Sequence, residues 1–174
     1  MRLDKYTQKA QEAVVAAQEL AESYDHPTID PEHLLYTLVN QEAGVVPSVL
    51  QRIGTDPVAV STSLEQALGR KARAAGATSQ VAMGRDTANV LQEAQKIAES
   101  MHDDYTSTEH ILMSLAAPKA PRISADLLAA HGVDYNAIVQ ALASIRGSQR
   151  VTSQNPEAQY EALSKYGRDL TQEA

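Results

Sequence analysis

One unit is written twice in this chain, and that duplication limits the folds open to it more than any other feature. Residues 10–39 align without gaps on residues 87–116, with nine identities in thirty positions. Ala17-Gln18 meets Ala94-Gln95, Ala21-Glu22-Ser23 meets Ala98-Glu99-Ser100, and Glu32-His33 meets Glu109-His110. One residue further out of step, Gly54 meets Gly132, Asp56 meets Asp134 and Leu64 meets Leu142. A fixed internal period means two copies of one supersecondary unit sharing a core. The expectation is a pair of pseudo-twofold lobes.

Each half parses into four helices. Tyr6, Ala10, Ala13, Val14, Ala17, Leu20, Ala21 and Tyr24 recur at three- and four-residue steps, the apolar stripe of a helix from near Asp4 to Tyr24. Asp30 followed by Pro31 reads as an N-cap and first helical position, and Ser107 supplies another capping side chain at the aligned site. A short helix runs from about Pro47 to Arg52 and stops at Gly54, a left-handed cap; the next opens at Asp56-Pro57 and closes near Gly69. Gly132 and Asp134 take those parts in the second half, whose last helix ends near Arg146-Gly147. No alternating strand pattern of useful length is present. The fold class is all-α: two pseudo-symmetric four-helix repeats, about 1–69 and 84–147, with a C-terminal linker segment.

Residues 70–83 lose periodicity and collect small residues, as a joining segment would. Residues 148–155 are polar and read as flexible, and Pro156 begins a short amphipathic segment with Tyr160, Leu163 and Tyr166. The tail 148–174 is therefore read as a connector to something beyond the duplicated unit.

Composition removes several chemistries. With no Cys, the chain has no disulfide, thiol nucleophile or thiolate metal ligand, which fits a reducing cytosol. A net charge of −7 repels phosphate backbones, so nucleic acid is not an expected partner. The basic cluster Arg70, Lys71 and Arg73 lacks interleaved aromatics and reads as a solvated joining segment. No stretch approaches a membrane span. No Gly-rich phosphate loop or Ser elbow occurs, so neither catalytic residues nor a cofactor site is expected. The doubled Glu-His lacks a second His at the spacing of a metalloprotease helix, so each His reads as a first-turn hydrogen-bonding or packing residue rather than a metal ligand. Asp103-Asp104 reads as a solvated turn before a helix N-terminus. What remains is surface recognition: a shallow apolar groove at the seam between lobes, with the stripe Val90, Leu91, Ala94, Ile97, Ala98 and Met101 as core and groove margin.

MRLDKYTQKAQEAVVAAQELA, the doubled E-H-[LI]-L helix start and the closing L-S-K-Y-G-R-D-L-T together resemble the N-terminal domain of the ClpB-type AAA+ disaggregases. The resemblance covers 1–147 as the double repeat, with 148–174 as the linker entering an ATPase module. It implies a cytoplasmic, mobile domain that is monomeric in isolation and engages unfolded or aggregated polypeptide. The ATP-binding modules of the full-length protein would form a hexameric ring and work with an Hsp70-type chaperone system. It implies substrate handling by Thr7, Asp103 and Glu109, with Leu91 and Ile97 in an apolar groove. The alternative is an adaptor- or degradation-tag-docking domain of a Clp protease ATPase.

Overall fold

The computed structural model describes residues 3–74 and 80–156. Among them are eight α-helices, four in each half: α1 (Gln8–Ser23), α2 (Pro31–Val39), α3 (Val45–Ile53), α4 (Pro57–Arg70), α5 (Arg85–Ser100), α6 (Thr108–Ala116), α7 (Arg122–Ala130) and α8 (Tyr135–Arg146). Residues 75–79 of the expected joining segment and the amphipathic segment after Pro156 lie outside the described residues.

Helix boundaries follow local chemistry. The Asp56 and Asp134 side chains accept from the amides of Val58 and Ala137, capping α4 and α8. Gly54, at φ 101°, terminates α3 in the left-handed region, where a Cβ would be strained. The first helix starts later than its apolar stripe suggests. Leu3–Lys5 forms a 3-10 turn, and Thr7 stays extended so that its hydroxyl accepts the Ala10 amide.

The helices α2 and α6 are the two most buried and lie against each other at the centre. Every residue from Thr108 to Leu115 is buried, as are Leu34, Leu35, Leu38 and Val39. Around them α1 packs on α2 and α5 on α6, while α3 meets α8 and α4 meets α7 across the lobes. With no Phe or Trp, Leu, Val and Ala fill this core, and the fully buried Ala10, Ala17, Ala21 and Ala94 let helices approach closely.

Two very short strand contacts, absent from the sequence reading, bind the lobes together. Thr28–Ile29 (β1) pairs in parallel with Ala82–Met83 (β2), and Tyr6 forms an isolated parallel bridge with Thr106. These contacts are images of each other. Position 29 of the first repeat aligns with 106 of the second, and position 6 with 83. Each lobe thus presents its pre-helix segment to the other. The Gly84 amide donates to Ile29 O (3.1 Å) and the Thr7 amide to Thr106 O (2.9 Å). Such contacts are too short to show any period-two pattern, so periodicity could not have revealed them.

The segment 148–155 is a further correction. Val151 is fully buried, its carbonyl accepts from the Asp104 amide (2.8 Å), and the Gln154 carbonyl accepts from the Gln8 amide (2.7 Å). A polar composition suggested flexibility; backbone hydrogen bonds and one apolar anchor hold the segment down instead.

Candidate functional site

The expected site residues divide into a polar group that the fold assembles and an apolar pair that it encloses. Leu91 is 0% exposed and Ile97 7% exposed; both face the core formed by α5 and α6, so the expected groove at this point is filled by the protein itself. Thr7 is fully buried at the start of α1. Asp103 and Glu109 are buried too, their side chains at 0% exposure. The solvated-turn reading therefore holds for exposed Asp104 but not for Asp103. None of the five residues meets solvent appreciably.

The polar network is built from the start of α6. His110 sits in its first turn, where Nδ1 accepts the Ser107 amide at 2.8 Å, closing a capping box. An imidazole accepting at Nδ1 carries its proton on Nε2, and that nitrogen donates to Asp103 Oδ2 at 2.7 Å. The other carboxylate oxygen, Oδ1, accepts from Arg146 Nη2 (2.7 Å) and from the Val151 amide (2.8 Å). Ser107 Oγ donates to Glu109 Oε1, and Glu109 Oε2 lies 3.4 Å from Arg146 Nη1. Burial pushes the Asp103 carboxyl up, but the bonds from His110, Arg146 and the Val151 amide outweigh it and hold the group at about 2. A single guanidinium thus serves two buried carboxylates.

The first repeat carries the matching cluster with its charges rearranged. His33 aligns with His110, Glu32 with Glu109, Asp30 with Ser107 and His26 with Asp103. His33 Nδ1 accepts the Asp30 amide (2.8 Å), and its Nε2 faces His26 Nδ1 at 2.7 Å. The cation is Lys71, whose Nζ lies 2.8 Å from both Asp30 and Glu32. This corrects the reading of Lys71 as a solvated joining residue. Burial, and then the neighbouring His26, lowers His33 to about 4, and burial lowers His26 as well. The doubled Glu-His is spent within each lobe, His as a first-turn cap in both copies, and among the described residues no group of three or more His, Asp or Glu is placed to hold a metal.

Arg146, Val151 and Lys71 were missed as site residues. Arg146 stood at the end of an amphipathic helix, where a cation is ordinary. The available signal was the aligned exchange of His26 for Asp103, which leaves a second buried carboxylate in need of a cation.

The surface also offers a crevice of about 330 Å³, as much apolar as polar, between the outer face of α5 and the loop after α6, lined among others by Asp86, Asn89, Glu93, Lys96, Lys119 and Pro121. At the equivalent place in the first repeat, Lys9 Nζ bonds to Glu42 O (2.9 Å) and Gln41 Nε2 to Lys9 O (2.8 Å), bridging α1 to the loop after α2.

The fold and these paired clusters define a duplicated helical domain, two lobes exchanging their entry segments around two capped central helices. The model of the Clp repeat (R) N-terminal domain matches residues 5–124, and the chain belongs to that family. It is 40% identical over 177 residues to chaperone protein ClpB of Nitratidesulfovibrio vulgaris, covering 100% of this chain and 20% of that protein. The chain thus spans about a fifth of the length of its ClpB relatives. The crystal structure of the Hsp104 N-terminal domain from Candida albicans superposes with a TM-score of 0.78 at 20% identity, covering 88% of this chain and 99% of that one. The N-terminal domain of the ClpV1 ATPase from E. coli gives 0.70 at 23% identity over 85% and 89%. These last two likenesses concern the fold. No helix among the described residues is long and apolar enough to cross a membrane.

Proposed function

We propose that this is the polypeptide-receiving domain of a ClpB-type AAA+ chaperone. It captures unfolded or aggregated chains weakly and passes them to an ATP-driven ring formed by the remainder of the full-length protein. The observation that carries this reading is the identity with a ClpB running along the whole chain. ATP, the hexameric ring and an Hsp70-type partner belong to that full-length protein, and the domain alone is a monomer in the cytoplasm. Thr7, Asp103 and Glu109 serve capture from within, by fixing the surfaces around them, because their burial leaves no side chain to touch a client. The open crevice beside α5 supplies charged, amide and apolar side chains to an extended segment, and a shallow site of this kind gives adaptable, low-affinity binding. A tether then raises the local concentration of client at the ring.

Titration of the chain with a permanently unfolded polypeptide, followed by anisotropy, tests the reading. Saturable binding that a folded protein of similar size does not reproduce is expected. Absence of any binding to the unfolded chain overturns it. The docking of a folded adaptor is the competing reading. A folded adaptor needs a larger and flatter surface than this crevice offers.

A further inference from the structure

We infer that the Asp103 cluster is a latch for residues 149–154, so that a buried ion cluster decides whether this strap lies against the domain or is released from it. Everything that holds this strap converges on one corner. Asp103 Oδ1 receives the Val151 amide (2.8 Å), and Arg146 Nη2, already on Asp103, also donates to the Gln149 carbonyl (3.0 Å). The backbone then doubles the connection. The Asp104 amide donates to Val151 O (2.8 Å) and the Gln8 amide, next to Thr7, donates to Gln154 O (2.7 Å). Gln154 Nε2 reaches Asp4 O at 3.2 Å, and the Val151 side chain is fully buried in the core. The strap is thus clasped between the loop after α5 and the N-terminal turn, where the two lobes already share the Tyr6–Thr106 bridge.

This assignment gives Thr7, Asp103 and Glu109 one job although none is exposed. Thr7 fixes the start of α1, and so the Gln8 amide; Asp103 grips Val151; Glu109 lies against Arg146 and keeps the guanidinium in place. They are positioning residues. In the first repeat the segment after α4 is also tied back, the Ala74 amide donating to Asp25 O (2.8 Å). The cation of that cluster, Lys71, nonetheless bonds to Asp30 and Glu32 directly, and among the described residues no carboxylate of the cluster accepts from the segment's backbone. Releasing the six residues from 149 to 154 would add about 20 Å of reach at roughly 3.3–3.6 Å per extended residue. On the function proposed above, in which an ATPase ring follows, this longer tether lowers the effective concentration at which the domain meets that ring.

Amide hydrogen exchange on this chain tests the latch from both sides. Asp103→Asn weakens it from the cluster. Val151→Pro removes the donated N–H from the strap while keeping an apolar side chain and every cluster residue. In both variants the Gln8 and Asp104 amides, which donate to the strap, should exchange about 10- to 100-fold faster, the effect of losing a hydrogen bond to a charged group. In Asp103→Asn trypsin should also cleave faster after the exposed Arg150; in Val151→Pro that bond becomes resistant to trypsin, so exchange alone is the readout there. The amides of Thr7 and Thr106, which belong to the bridge between lobes, should keep their rates. Unchanged Gln8 and Asp104 amides in Val151→Pro overturn the latch. So does uniform acceleration across α1, α2 and α6 in that variant, which would make the strap part of the core. Polypeptide binding plays no part in this readout, so the latch and the capture reading fail separately.

Discussion

The two helix-start clusters descend from one pattern and have been wired differently. Each has two carboxylates, one cation and a capping His. In the first repeat one carboxylate is the cap, Asp30, and a second imidazole, His26, stands behind His33. In the second, the cap is Ser107 and the carboxylate has moved to the loop, as Asp103. The cation follows the charge. Lys71, 26% exposed, reaches in from the surface to Asp30 and to buried Glu32, whereas Arg146, 5% exposed, is itself drawn inside between Asp103 and Glu109. A guanidinium suits that place because it presents several donors in a fixed plane. One exchange, His26 for Asp103, therefore decides whether the cluster is an edge feature or a buried centre gripping a strap.

The sharpest way to break the comparison is to remove the carboxylate that the second repeat acquired. Asp103→Ala leaves Arg146 in the core without its main counter-charge, and should cost about 3–5 kcal/mol in urea unfolding. Lys71→Met, the corresponding loss of charge balance in the first repeat, should cost less, about 1–2 kcal/mol, because Lys71 and Asp30 are partly exposed although Glu32 is buried.

Acid should separate the two clusters by pH. His33 has its folded value lowered from 6.5 to about 4, so the unfolded chain takes up that proton first. Its contribution is complete above about pH 6.5 and is lost as pH falls toward 4, amounting to roughly 3 kcal/mol at 1.36 kcal/mol per unit. Asp103, lowered from 3.8 to about 2, contributes fully above pH 3.8, and its share disappears only between there and pH 2. Urea midpoints at pH 7, 5 and 3 should show the upper loss shrink in His33→Gln, which retains a side chain able to cap, leaving the share of His26, itself lowered by burial. A single acid transition, unmoved by that substitution, would mean the imidazoles are not held neutral by burial.

The exchanged entry segments give a smaller contrast. A Cβ on Gly84 would lie 2.7 Å from Ile29 O and 2.9 Å from Asp30 Oδ1, so Gly84→Ala forces the lobes apart and should cost about 1–3 kcal/mol. At the aligned position, Thr7→Ala removes only the hydroxyl that caps Ala10 and should cost about 1 kcal/mol. Thermal melts of the two variants side by side measure the difference; equal losses would show that the close approach at Gly84 is not confined to one lobe.

The duplication, eight helices and most of their ends were legible because caps, Gly stops and apolar stripes are local signals. Asp30, Ser107, Asp56, Asp134 and Gly54 all act where the sequence puts them. The site was legible only in part. Asp103, Glu109 and Thr7 could be singled out, but their burial could not, since an acidic pair before a helix reads as a solvated turn unless its cation is known. That cation lies 43 residues away from Asp103.

By itself, then, the sequence determined the repeat, the helices and the two capping histidines, because each depends on neighbours within a few positions. Tertiary structure alone decided that Leu91 and Ile97 are enclosed, that the lobes trade entry segments, and that Arg146 and Val151 meet at Asp103. The physical reason is range: a cap is settled within one helical turn, whereas the balance between desolvating a charge and pairing it depends on which distant group the fold delivers.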